Sequence, residues 1–124
     1  MFITFEGPEG SGKTTQIGQL CATLRTEGWT VLQTREPGGT PIAEQIRTVL
    51  HDTANQAMLP ATEALLYSAS RAQHVAEVIR PALARGAVVI SDRFAESTTA
   101  YQGYGHGLSL EALRAITQFA TGGL

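Results

Sequence analysis

The chain has 124 residues, 43% of them hydrophobic and 16% charged, a balance that suits one soluble α/β domain and sets one domain as the ceiling. A formal net charge of −2 argues against a general nucleic-acid binder, which would present a basic face to an extended phosphate backbone. Cys21 is the only cysteine, so an intramolecular disulfide and a cysteine metal cluster are excluded. Glu6 and Glu9 interrupt the N-terminus before a signal-like apolar stretch can form, and no apolar run approaches the roughly 18 residues of a membrane helix. The expected partners therefore include no membrane, and the expected compartment is the cytoplasm.

Phe2-Ile3-Thr4-Phe5 reads as a strand, followed directly by Gly7-Pro8-Glu9-Gly10-Ser11-Gly12-Lys13-Thr14. These residues fit the phosphate-binding P-loop: Gly, four variable residues, then Gly-Lys-Thr. Gly7, Gly10 and Gly12 let the backbone curl into a nest of N–H groups at a helix start, where phosphate oxygens are favoured. The Lys13 ammonium is suited to bridge the β and γ phosphates, and Thr14 supplies the usual hydroxyl for the accompanying Mg²⁺. A nucleotide triphosphate is the expected ligand.

Ile17, Leu20, Cys21 and Leu24 then mark one apolar helix face, with Gly28 as its stop. Thr30 to Thr34 reads as a second strand and Arg35-Glu36-Pro37-Gly38-Gly39 as a loop. Thr40 caps the next helix, with Pro41 at its first position and Ile42, Ile46, Val49 and Leu50 facing the core. Residues 51 to 60 form a polar connection. A longer helix is expected from Thr62 to Arg85, interrupted at Pro81 and ended by Gly86. Its core face reads Leu65, Ala69, Ala72, Ala76, Ile79 and Leu83, which leaves Tyr67, Ser70, Arg71 and His74 on a neighbouring stripe.

Ala87 to Ile90 is an unbroken apolar strand of the kind covered on both faces, and Ser91, Asp92 and Arg93 arrive where it ends. Strands alternating with helices imply parallel pairing, so the strand ends carrying Gly7, Arg35 and Asp92 should converge on one edge. Gly103, Gly105 and Gly107 predict a mobile loop from Tyr101 to Leu108. Ser109 caps a last helix through Phe119, with Leu110, Leu113, Ile116 and Phe119 inward. Gly122-Gly123-Leu124 reads as an interrupted βαβ pattern.

Asp92 stands where P-loop proteins hold Mg²⁺ through a carboxylate, and Arg93 beside it suits phosphoryl transfer; a surface ion pair between the two is the simpler alternative. Arg35 can clamp a second phosphate or pair with Glu36. Tyr67 with Arg71 one turn later can stack on a flat base and donate to its edge, or can be a half-buried tyrosine beside a solvated arginine. His74 reads as structural or substrate-adjacent, and Ser97, Thr98 and Tyr101 as capping and packing residues. Glu9 within the loop is electrostatically costly beside phosphates unless a cation or a sugar hydroxyl engages it.

The P-loop, the stretch Thr34-Arg35-Glu36-Pro37-Gly38-Gly39-Thr40, the stretch Ser70-Arg71-Ala72-Gln73-His74, and Asp92-Arg93-Phe94 through Ala100-Tyr101-Gln102-Gly103 together resemble bacterial thymidylate kinases over essentially the whole chain. The resemblance implies transfer of phosphate from ATP to dTMP with Mg²⁺, on a five-stranded parallel sheet, as a homodimer. It implies that Lys13 and Thr14 serve ATP and Mg²⁺, that Asp92 lies near the metal, that Arg93 bridges the two phosphates, and that Glu9 lies near the dTMP sugar and phosphate. Tyr67 stands where the family stacks a phenylalanine on thymine, Arg71 where it hydrogen-bonds the base edge, Tyr101 beside the deoxyribose and Thr98 near the base. Arg35, Pro37 and Gln102 join them as substrate-site residues. His106 replaces an arginine common among relatives.

The expected fold is thus a P-loop NTP hydrolase-like three-layer αβα domain over residues 1–124, a single kinase domain incomplete at its C-terminus, without the last strands and lid. Alternatives are another small-molecule P-loop kinase, or a nucleotide-binding remnant without turnover. In the family strand order 2-3-1-4-5, such a chain leaves its first strand as an exposed edge. It should then be poorly stable or self-associate, and a monodisperse, cooperatively melting monomer in sedimentation and thermal scans would contradict that.

Overall fold

The apolar run that ends at Ile90 becomes the centre of the molecule. In the computed structural model, which describes all residues from Met1 to Leu124, strand β3 (Val88–Asp92) lies between β1 (Phe2–Phe5) and β2 (Val31–Arg35). Both pairings are parallel, and Phe5 and Arg35 both stand opposite Asp92. This register brings all three carboxyl ends to one level, as the alternation of strands and helices requires. β1 occupies an edge of the order β1-β3-β2.

Helices α1 (Lys13–Thr26), α2 (Pro41–His51), α3 (Pro60–His74), α4 (Arg80–Ala84), α5 (Ala95–Thr98) and α6 (Leu110–Thr121) surround the sheet. Side chains alternate across a strand, so β3 feeds two cores. On one face Val88 and Ile90 pack with Ile17 and Cys21 of α1; on the other, Val89 joins Val75, Ile79, Ala82 and Phe94. The result is three layers. Full burial of each Val or Ile is worth about 1.5–3 kcal/mol, which makes β3 the most heavily stabilised strand.

Local signals placed several boundaries well. Thr40 Oγ1 accepts from Ala43 N, and Ser109 Oγ accepts from Ala112 N, as the capping residues predicted. α3 starts two residues earlier than Thr62, at Pro60, because a proline at the first helical position gives up an N–H that has no partner there. Before Pro81 the helix widens through Val75–Ile79, and the Arg80 amide reaches back to Val75 O. This wide turn absorbs a proline that would interrupt a regular helix.

Three expectations require correction. The buried stripe of α3 is Ala64, Ser68, Ser70, Arg71 and His74, whereas Leu65, Ala69 and Ala76 are exposed. Alanines carry little hydrophobic signal, and the polar residues can be buried because each is bonded: Arg71 and His74 to the buried Glu36, Ser70 to Gly38 N, and Ser68 to Ala64 O. On α2, Ala43 rather than Ile42 or Val49 is buried, and Phe119 of α6 is 90% exposed. The stretch read as a mobile loop is a wide helical turn, Thr99–Gly105, continuing α5. Gly103 packs closely there: a Cβ would stand 2.6 Å from Leu110 Cδ2, so that side chain would have to shift.

Ile79 is 0% exposed at the junction of the wide turn and the sheet. Ile79→Ala should cost about 2–5 kcal/mol in urea unfolding, the range for a buried large-to-small change, and a loss below 1 kcal/mol would show that the site collapses freely.

Candidate active site

A cleft of about 660 Å³ opens at the carboxyl edge of the sheet. Its floor begins with the P-loop. Gly10 and Gly12 adopt left-handed backbone, φ 75° and 86°, which turns the chain into α1 at Lys13. No side chain caps α1. The first amides of the helix are thereby left for an anion. Lys13 Nζ donates to Gly7 O at 2.9 Å and Pro8 O at 2.8 Å, drawing the loop around its own ammonium.

Of the residues singled out from sequence, Glu9, Gly10, Lys13, Thr14, Arg35, Pro37, Tyr67, Arg71, Asp92, Arg93, Thr98, Tyr101 and Gln102 all line this cleft. Gly7, Pro8, Ser11 and Gly12 do not; they shape the loop behind it. Asp92 is half-buried at the end of β3. The ion pair considered between Asp92 and Arg93 is replaced by a bond from Arg93 Nη1 to Ser97 Oγ at 3.2 Å. The Arg93 guanidinium also lies 5.4 Å from the centre of the Tyr101 ring.

Arg71 is not solvated; it is 2% exposed. Its Nε donates to Glu36 Oε2 at 2.7 Å, and its Nη2 to Phe94 O at 3.0 Å and Thr98 Oγ1 at 3.1 Å. Nη1 has no partner, alone among the buried side-chain nitrogens and oxygens. A planar guanidinium clamped on its other nitrogens leaves one donor aimed by its neighbours. Glu36 is itself buried and also accepts from His74 Nδ1 at 3.2 Å, while His74 Nε2 meets Thr34 Oγ1 at 2.7 Å. His74 thus acts structurally, orienting the glutamate that orients Arg71.

Arg35 lines the cleft but does not pair with Glu36. It pairs with Glu44 at 3.1 Å, since Glu36 is already turned inward to Arg71. Arg47 and His51 also line the cleft, and Arg47 Nη1 donates to Pro37 O at 2.8 Å. Partial burial, then the charge of Arg47, holds the His51 pKa below its ordinary value. Burial, then the Glu63 carboxylate, raises that of Tyr67. His106 pairs with Glu63 at 3.2 Å, tying the glycine-rich segment to α3.

Sequence reasoning missed Glu36, Arg47, His51 and Glu6, the last of which accepts from Phe94 N at 2.7 Å. The one available signal was the four-residue spacing of Arg47 and His51, which places them on one side of α2. Nothing local marks Glu36 or Glu6, whose partners lie 35 and 88 residues away.

The family model for thymidylate kinase matches residues 5–123. The thymidylate kinases of Geotalea daltonii and of Pseudomonas fluorescens strain Pf0-1 are each 60% identical to this chain, covering 99% and 100% of it and 58% and 59% of their own lengths. The chain therefore spans less than two thirds of the curated relatives it matches. A crystal structure of thymidylate kinase from Ehrlichia chaffeensis superposes with a TM-score of 0.89 at 41% identity, over 97% of this chain and 64% of that one.

Glu36 holds both Arg71 and His74, and its removal leaves a buried guanidinium without its anion. Glu36→Ala should destabilise the fold by about 3–5 kcal/mol, as for other broken buried pairs. Denaturant unfolding checks this, and a cost within 1 kcal/mol would mean that water replaces the carboxylate.

Proposed function

The chain belongs to the thymidylate kinase family, and from that footing we propose that it transfers the γ-phosphoryl group of ATP to dTMP, giving dTDP for dTTP synthesis. The observation that carries this reading is the free Nη1 of Arg71, a buried donor in a cleft that also presents an aromatic face. A pyrimidine carbonyl satisfies that donor while the ring stacks on Tyr67. Tyr101 packs beside the deoxyribose, with Thr98, Gln102 and Pro37 completing the monophosphate side.

The reaction is a displacement at phosphorus. A dTMP phosphate oxygen forms a bond to the γ phosphorus, the bond from that phosphorus to the β–γ bridging oxygen breaks, and ADP leaves with the electron pair. Such a transfer asks for positioning and charge stabilisation more than for proton abstraction. The uncapped amides of α1 and the curled loop hold the ATP phosphates, and Lys13 exchanges its two carbonyl contacts for β and γ oxygens. Arg93 bridges donor and acceptor phosphates, and Glu9 faces the sugar and phosphate of dTMP.

Thr14 and Asp92 both line the cleft, and these two oxygen donors suit Mg²⁺, which keeps several waters and phosphate oxygens rather than a full protein cage. The ion, when bound with ATP, neutralises charge on the β and γ phosphates. Arg35, Arg47 and His51 add positive character on the acceptor side. Residues 1–124 are read as belonging to a single kinase domain. No helix is long and apolar enough to cross a membrane. We read the protein as cytoplasmic and, at full length, as a homodimer; Ile42 and Val49 on α2 and Leu65 on α3 are exposed apolar residues open to a second copy.

Arg71→Lys keeps a cation beside Glu36 but withdraws the forked donor. It should weaken dTMP binding about 10-fold or more, the worth of a hydrogen bond from a charged group, and leave ATP affinity within twofold. Calorimetry with each ligand checks this alongside ADP release in the presence of dTMP, other monophosphates and alcohols. Equal loss for both ligands, or ADP release with an alcohol and none with dTMP, would overturn the assignment.

A further inference from the structure

Glu6 stands immediately after β1, and nothing in the reaction described above uses it. Its carboxylate nevertheless crosses from β1 to the segment after β3. Oε1 accepts from Phe94 N at 2.7 Å, and Oε2 accepts the hydroxyl of Ser97. Ser97 Oγ in turn accepts from Arg93 Nη1 at 3.2 Å. A serine hydroxyl has one proton and two lone pairs. With that proton committed to Glu6, its lone pairs face the guanidinium, so the carboxylate sets the direction of the bond that holds Arg93.

The backbone of Arg93 makes the same point. It is the only non-glycine residue at positive φ, 72°, a left-handed conformation that crowds the Cβ of an L-residue against the backbone. The conformation persists because its ends are tied: Arg93 N donates to Phe5 O at 2.9 Å, and Ser91 Oγ donates to Arg93 O at 2.8 Å. The turn aims the side chain back across the cleft onto Ser97 and the Tyr101 ring. Glu9 and Asp92 line the same cleft. A guanidinium released from Ser97 has two carboxylates to collapse onto, and a collapsed arginine no longer meets a phosphate.

We propose that Glu6 is a positioning residue for Arg93, acting through the Ser97 hydroxyl to hold the guanidinium ready for the transferred phosphoryl group. The proposal rests on the kinase reading above for what Arg93 touches, and not for how Arg93 is held. Glu6 reaches Arg71 as well, because the peptide of Phe94 donates its N–H to Glu6 and its carbonyl accepts Arg71 Nη2. One carboxylate thus fixes the segment from which Arg71 and Arg93, two of the four arginines of the cleft, take their bearings. Side chains locked by a supporting shell are what phosphoryl transfer requires, since a misplacement of about 1 Å costs on the order of 100-fold in rate.

The test uses Ser97→Ala and Glu6→Gln in the kinase as its gene encodes it. Ser97→Ala cuts the path to Arg93 and leaves the Glu6 contact with Phe94 N in place. With ATP and dTMP, each change should lower kcat about 10- to 100-fold while the KM for ATP stays within twofold. In an Arg93→Ala background the same changes should cost less than about twofold, because residues acting through a common partner are not additive. Equal losses in both backgrounds would overturn the proposal, and Glu6 would then serve only the fold.

A second readout does not depend on turnover. The ¹⁵N-labelled guanidinium signal of Arg93, identified by its loss in Arg93→Ala, should show restrained rotation in the unmodified protein and averaging in both variants. An unchanged signal in Ser97→Ala and Glu6→Gln overturns the proposal. Absence of dTMP phosphorylation by the unmodified protein overturns the kinase reading instead, and the arginine signal then decides the positioning role.

Discussion

The parallel pairing of β3 with strands on both sides is the constraint on which the rest of the molecule depends. Because Phe5 and Arg35 share Asp92 as their register partner, three loops leave the sheet at one level. The P-loop follows β1, the segment from Glu36 to Gly39 follows β2, and Arg93 and Phe94 follow β3. A slip of one residue in either pairing would turn the alternating side chains of that strand to the wrong layer and separate these loops. Burial of Val88, Val89 and Ile90 on both faces resists such a slip, so the core that stabilises the domain also sets the geometry of the cleft.

Polar bonds then cross-link the three loops. Glu6 from the first reaches Phe94 and Ser97 beyond the third, and Glu36 from the second reaches Arg71 and His74 on α3. Arg71 closes the circuit by donating to Phe94 O and Thr98. Both acids are thereby joined through the Phe94 peptide, which also packs its ring edge-on against Phe2 and beneath the Arg71 guanidinium. Buried charges arranged in this way are costly if left half-satisfied and rigid when complete. Here all but one of the buried side-chain donors and acceptors are matched, the exception being Nη1 of Arg71.

The helices show a complementary device. Two wide turns interrupt them, one before Pro81 and one through the glycines after Tyr101. Wide turns of this kind gather near functional sites because they shift the phase of a helix by a fraction of a turn without breaking it. Ahead of the first, α3 buries a polar stripe that carries Arg71 to the cleft; within and beyond it, Val75, Ile79 and Ala82 join the core against the sheet. The second brings Gln102 and Gly103 inside while Tyr101 remains half-exposed at the cleft.

Much of the site was legible in residue order, because the P-loop spacing, the strand patterns and the caps are local signals. The strand ends carrying Gly7, Arg35 and Asp92 were placed at one edge by alternating strands and helices, and Lys13 and Thr14 were picked out by the P-loop spacing. Three strands, their parallel sense and the starts of α2 and α6 follow from the same kind of evidence. Only the tertiary structure decided the rest: that α3 buries Arg71 and His74 rather than its leucine and alanine stripe, that Arg35 turns to Glu44, that Glu36 bonds Arg71, and that Glu6 bonds Phe94 and Ser97. Hydrophobic period and turn chemistry act over a few residues, whereas hydrogen bonds between side chains 35 or 88 positions apart exist only once the sheet has brought them together.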